Sequence, residues 1–88
     1  MVLVKRLVLD VLKPHIPNAL EFARTLAEQC TGYYIKFLVV EMDDKTETVE
    51  LTIEGEDLRF ELIEETINAL GASLHSIDEV EVVNAGGD

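Results

Sequence analysis

An α+β fold with the element order β-α-β-β-α-β follows from three observations. Two stretches carry apolar residues at helical spacing, and each ends at a glycine, Gly32 or Gly71. Apolar, β-branched runs precede, separate and follow them. A short polar turn, Asp43-Asp44-Lys45-Thr46, joins two of those runs into a hairpin.

Val2 to Lys13 is almost continuously apolar, broken by Lys5, Arg6 and Asp10 without clean alternation. That pattern predicts a strand covered on both faces or nearly so. Pro14 and Pro17 stop it, with His15 between them. Pro17 suits the first turn of a helix whose stripe is Ala19, Phe22, Ala23, Leu26 and Cys30. Tyr33 to Met42 reads as a second strand. Glu47 to Glu54 alternates cleanly, with Val49, Leu51 and Ile53 inward. Asp57 or Glu56 is placed near the cap of a second helix with Phe60, Ile63, Ile67 and Leu70 on its stripe. Ser73 to Val83 is the last strand, with Leu74, Val80 and Val82 as core positions. Strict alternation there would also bury Ser76 and Asp78, so a bulge or a late start is expected. Residues 1–83 then form a single domain and 84–88 a flexible tail.

This order at 88 residues is the ferredoxin-like split unit. Right-handed crossovers predict a four-stranded antiparallel sheet of order 4-1-3-2 with both helices on one face. The other face would carry Val4, Val8, Tyr34, Leu38, Val40 and Met42 among Arg6, Lys36, Glu50 and Thr52. That is more apolar surface than a monomer usually shows water. The second strand is also a long apolar edge. A homo-oligomer joined through the open face or the strand-two edge is therefore expected.

Eighteen acids against seven bases give a formal charge of −11, which repels phosphate backbones and argues against nucleic-acid binding. No apolar run is long enough to span a bilayer, so no membrane role is expected. The single cysteine, Cys30, excludes an intrachain disulfide and fits a reducing, cytoplasmic setting. It lies on the first helical stripe with no basic neighbour, which reads as an inert buried thiol.

The topology gathers polar residues at one edge of the sheet. The ends of strands one and two and the starts of three and four lie there. They bring Asp10 and His15, Glu41 and Asp43, Glu47, and His75 and Asp78 to a common end. Asp10, Glu41, Asp43, Glu47 and Asp78 are candidate ligands for a divalent cation, calcium or magnesium by their oxygen character. His15 and His75 are candidate ligand-binding groups, and their imidazoles would suit zinc or manganese. The spacing matches no calcium loop, His-Glu-x-x-His or Cys-x-x-Cys pattern. His15 also reads as a helix-entry residue capping backbone, and His75 as a partner of Asp78 or Ser76.

The blocks Val8-Leu9-Asp10-Val11-Leu12-Lys13-Pro14-His15 and Leu74-His75-Ser76-Ile77-Asp78-Glu79-Val80 stand out, together with Glu41-Met42-Asp43 and Ile53-Glu54-Gly55. They resemble the archaeal domain of unknown function 211 family. The resemblance implies a ferredoxin-like fold, an archaeal cytoplasmic source and homo-oligomers, and no established activity. Ile16 and Ala72 stand where that pattern often has an acid and a second glycine.

The favoured functional expectation is a non-enzymatic, self-assembling domain that binds a small ligand or divalent metal, in a regulatory role. The alternatives are a metal-assisted hydrolase or lyase with His15 or His75 as general base, and a purely structural assembly unit.

Overall fold

The central strand decides where everything else goes. In a computed structural model that describes residues 1–86, β1 (Val2–Pro14) is flanked by two antiparallel partners. They are β3 (Thr46–Glu54) and β4 (Ser73–Asn84). The strand β2 (Tyr34–Met42) pairs outside β3, so the sheet runs β2-β3-β1-β4. That is the expected 4-1-3-2 order read from the other edge. The helices are α1 (Ala19–Gln29) and α2 (Phe60–Ala69).

Alternate residues of β1, Leu7, Leu9 and Val11, pack against the helices together with Val49, Leu51 and Ile53 of β3. Phe22 and Leu26 of α1, Ile63 and Ile67 of α2, and Cys30 complete the centre. Each exposes 4% or less of its surface. Burial pushes the Cys30 thiol pKa up, so the thiol is inert, as its place on the apolar stripe implies.

The helix starts differ from expectation in detail. Asn18 caps α1, its side chain accepting from the Glu21 N–H at 2.9 Å, so Pro17 lies just outside the helix. Neither Glu56 nor Asp57 caps α2. Asp57 instead accepts from the Val4 N–H at 3.1 Å and ties the loop to β1. The Tyr33 hydroxyl accepts from the Arg59 N–H at 2.8 Å and donates to the Asp57 carbonyl. This turns Tyr33 out of the strand and into the join between β2 and α2.

Four register shifts set which face each polar residue occupies. The extra residue is Lys5 on β1, Val40 on β2, and His75 and Asp78 on β4. Each bulge inverts the alternation beyond it. Val4 and Met42 therefore lie on the helix side, opposite Val82 and Glu47, and not on the open face where strict alternation puts them. Val8, Tyr34, Leu38 and Val40 remain on the open face, but Val8 is covered by its charged neighbours and is only 8% exposed.

The β4 bulges also place Ile77, Val80 and Val82 on the helix side, beside Leu9, Leu7 and Val4. Although they have core polarity, the helices do not reach them, and they are 48%, 53% and 57% exposed. Beyond β4, the Ala85 N–H donates to the Met1 carbonyl at 2.8 Å, so the first part of the expected tail is pinned to the N-terminus. Residues 87 and 88 lie outside the described residues.

Gly55 closes the β3–α2 loop under tight steric limits. A Cβ there would stand 2.9 Å from Leu58 Cδ2 and 3.1 Å from Tyr33 Cδ1. Leu58 is buried and the Tyr33 ring is held by both hydrogen bonds of its hydroxyl, so neither yields freely. Gly55→Ala is expected to cost about 1–3 kcal/mol and to lower Tm by roughly 5–20 °C, measured by circular dichroism.

Candidate functional site

The helix-side phase of β1 does not stop at Val11. One step further it places Lys13 inside, with no exposed surface at all. Its register partner on β3 is Glu47, itself only 6% exposed. The Lys13 ammonium donates to Glu47 Oε1 at 3.2 Å and to the Pro14 carbonyl at 2.8 Å. A buried cation must be answered by a countercharge and hydrogen bonds, and it has both.

Glu47 serves a second cation. Its Oε2 lies 2.9 Å from His15 Nδ1, while His15 Nε2 lies 2.9 Å from the Asp43 carbonyl. Both ring nitrogens thus face acceptors. A neutral imidazole can donate only once, so this geometry calls for the imidazolium. Accordingly, the Glu47 hydrogen bond raises the His15 pKa above its ordinary value, partly offset by burial. The same bond lowers the Glu47 pKa, with Lys13 adding to it. Asp43 organises its own turn. Its side chain accepts from the Thr46 and Lys45 N–H groups at 2.8 and 2.9 Å, which lowers its pKa.

The remaining expected site residues lie across the sheet. Asp10 stands opposite Glu50 on β3 and Ser76 on β4, on the open face. Glu41 is there too, because the Val40 bulge turns it over. Asp78 and His75 are the bulged residues of β4, and both line hollows on that face. Asp78 accepts from Ser76 Oγ at 2.6 Å. The seven nominated residues therefore do not converge at one end of the domain, because Asp10 and Asp78 stand mid-sheet, and they divide into two groups. Glu47, His15 and the Asp43 turn form a hydrogen-bonded set. Asp10, Glu41, His75 and Asp78 are spread over the other face. Among the described residues, no three His, Cys, Asp or Glu side chains stand close enough to hold a metal ion.

The family described as Uncharacterized ArCR, domain of unknown function 211, matches residues 5–86. The chain belongs to that family. An uncharacterised protein, MJ0319, of Methanocaldococcus jannaschii is 44% identical over 77 residues, spanning 88% of this chain and 79% of that one. Within the matched residues, the His75-Ser76-Ile77-Asp78-Glu79-Val80 stretch of this chain coincides with the doubly bulged part of β4. The Leu12-Lys13-Pro14-His15 stretch coincides with the buried lysine and the imidazolium.

Lys13 was not among the expected site residues, yet the signal for it was present. Val49, Leu51 and Ile53 point inward by clean alternation, and one more step back gives Glu47. An acid on an inward phase demands a cation, and the antiparallel partner strand supplies one. In this member of the family, Glu47→Gln strips the countercharge from a buried ammonium. It is expected to cost about 3–5 kcal/mol and to lower Tm by roughly 10–25 °C.

The pH dependence follows from the two shifts. His15 has a raised folded pKa, so its stabilisation is complete below about pH 6.5 and is lost as pH rises through the folded value. Glu47 has a lowered folded pKa, so its share is complete above about pH 4.3 and is lost as pH falls through the folded value. Tm measured from pH 4 to 9 is expected to fall on the alkaline side of this window. His15→Gln should remove that fall while lowering the plateau.

Proposed function

We propose that this chain is a self-assembling binding domain whose copies associate along β4. The observation that supports this is the helix-side stripe of β4. Ile77, Val80 and Val82 carry core polarity and core phase but are about half exposed. A single chain of this fold has two helices, and they leave this stretch of β4 uncovered.

The occupant of the stripe is a second copy of the chain. An open strand edge is best satisfied by another strand edge, and every copy carries two, β2 and β4. A partner must also tolerate a charge of −11 on each chain. The acids of β4 beside the stripe, Glu79 and Glu81, pair across to Val8 and Arg6 on the open face, so they point away from it. The Arg6 guanidinium binds Glu54, lies 2.7 Å from Glu79, and neutralises part of that charge. Two copies can therefore bring their stripes together without burying an unpaired acid.

Light scattering on a size-exclusion column at micromolar concentration is expected to return a multiple of the 9.8 kDa chain mass. Val80→Glu with Val82→Glu should convert it to the single-chain mass with circular dichroism unchanged, because both side chains are already half solvated. A wild-type chain that elutes as a monomer would sink the proposal.

A further inference from the structure

The open face of the sheet, on the other side from the β4 stripe, carries a trough. It consists of three adjoining hollows of about 530, 210 and 200 Å³. Glu50 and Asp78 line both the first and the second, and Asp10 and Thr48 both the second and the third. The trough therefore runs continuously from the Tyr34 end of the sheet to His75. We propose that it binds a linear aliphatic polyamine.

Charge supplies the first argument. Glu50, Asp10 and Asp78 project from three successive strands, β3, β1 and β4. Asp10 and Glu50 are direct cross-strand partners, an arrangement that costs stability unless a cation answers it. Among the described residues none of the three takes part in an ion pair: Arg6 is spent on Glu54 and Glu79, and Lys36, which shares the first hollow with Glu50 and Asp78, pairs with neither.

Spacing supplies the second. The acids are too far apart for three of them to share one metal ion. Successive strands are separated by about 4.8 Å, close to the roughly 5–6 Å between ammonium groups joined by three or four methylenes. A row of carboxylates at strand spacing thus matches a row of ammoniums along a chain. Val8 and Val40 give the methylenes an apolar surface between them.

Thr52 supplies the third, independent of charge. It lines the largest hollow and is only 6% exposed. Its hydroxyl has no hydrogen-bond partner among the described residues, although no sealed side-chain polar atom in them lacks one. The hydroxyl is therefore open to the trough and placed to accept from a bound ammonium. The trough and the β4 stripe lie on opposite sides of the sheet, so this proposal holds whether or not copies associate.

Titration calorimetry in about 150 mM salt, where loose counterion attraction is screened beyond roughly 8 Å, tests it. The probes are spermidine, magnesium chloride, the compact trivalent cation hexamminecobalt, and glycine as a small zwitterion. Spermidine is expected to bind at least tenfold more tightly than any other probe. Asp10→Asn with Glu50→Gln should weaken it at least tenfold, and Thr52→Val about threefold to tenfold. Glu28→Gln, on α1, should leave it unchanged. Asp10→Asn relieves a like-charge contact, so its Tm is expected to hold, which separates lost binding from lost folding. Hexamminecobalt or magnesium binding as tightly as spermidine would reduce the trough to a diffuse acidic surface and overturn the proposal. So would glycine outbinding spermidine, or a Thr52→Val variant that binds spermidine like the wild type.

Discussion

A lysine ammonium with no exposed surface has to be answered from inside the protein, and the way Lys13 is answered organises one whole end of this domain. Glu47 lies in register with it on the neighbouring strand and takes its charge. The second oxygen of Glu47 holds His15, just past the end of β1, and His15 reaches on to the carbonyl of Asp43 in the β2–β3 turn. Asp43 in turn fixes that turn with its own side chain. The end of the central strand, the approach to α1 and the hairpin turn are thus linked through one carboxylate. Replacing it with a neutral group leaves the ammonium either unpaired in the core or forced to open the core toward water. Both are costlier than losing an exposed ion pair, which is worth about 1 kcal/mol or less.

The bulges are the second organising constraint, because a strand's period of two makes every register shift a change of face. Much of the fold was legible in the sequence. Helical stripes ending at glycines, a clean β3 alternation and a two-proline stop led to the observed element order and sheet order. The alternation conflict in Ser73–Val83 pointed correctly to irregularity in β4. What the pattern could not locate was the residue at which each strand slips. Lys5 and Val40 carry no turn chemistry, and their bulges are set by how the strands pair. That is why Val4 and Met42 moved to the helix side and Glu41 to the open face.

The candidate site shows the same limit from another direction. Topology brings strand ends together at an edge, and His15, Asp43 and Glu47 meet there, whereas Asp10 and Asp78 stand mid-sheet, opposite Glu50 and beside Val8. An edge has two sides, however, and which side a residue takes depends on phase counted along its strand. Counting along β3 leads from Ile53 through Leu51 and Val49 to Glu47, so that residue's burial could be read. Asp78 and His75 could not be assigned a side, since each is itself the residue that breaks the count. Asn18 and Tyr33 escaped notice for a different reason. Their roles are hydrogen bonds to backbone at helix starts, and in Tyr33 the partner lies 26 residues away.

The two faces divide the chain's excess charge in a way that bears on association. Charges more than about 8–10 Å apart are largely screened at physiological salt, so repulsion between copies depends mainly on acids near the contact. The β4 stripe faces the helix side, whereas Asp10, Glu50 and Asp78 face the opposite one. Copies meeting through the stripe therefore keep the Asp10, Glu50 and Asp78 row on the far side of a sheet from the contact. A cation held in the trough lowers each chain's net charge without occupying the contact surface. At low salt, where screening is weak, a ligand that neutralises the open face would favour association through the stripe, and association would tighten that ligand by the same factor. The coupling is electrostatic and acts across the sheet, so it weakens with added salt, whereas coupling through a shared contact would persist.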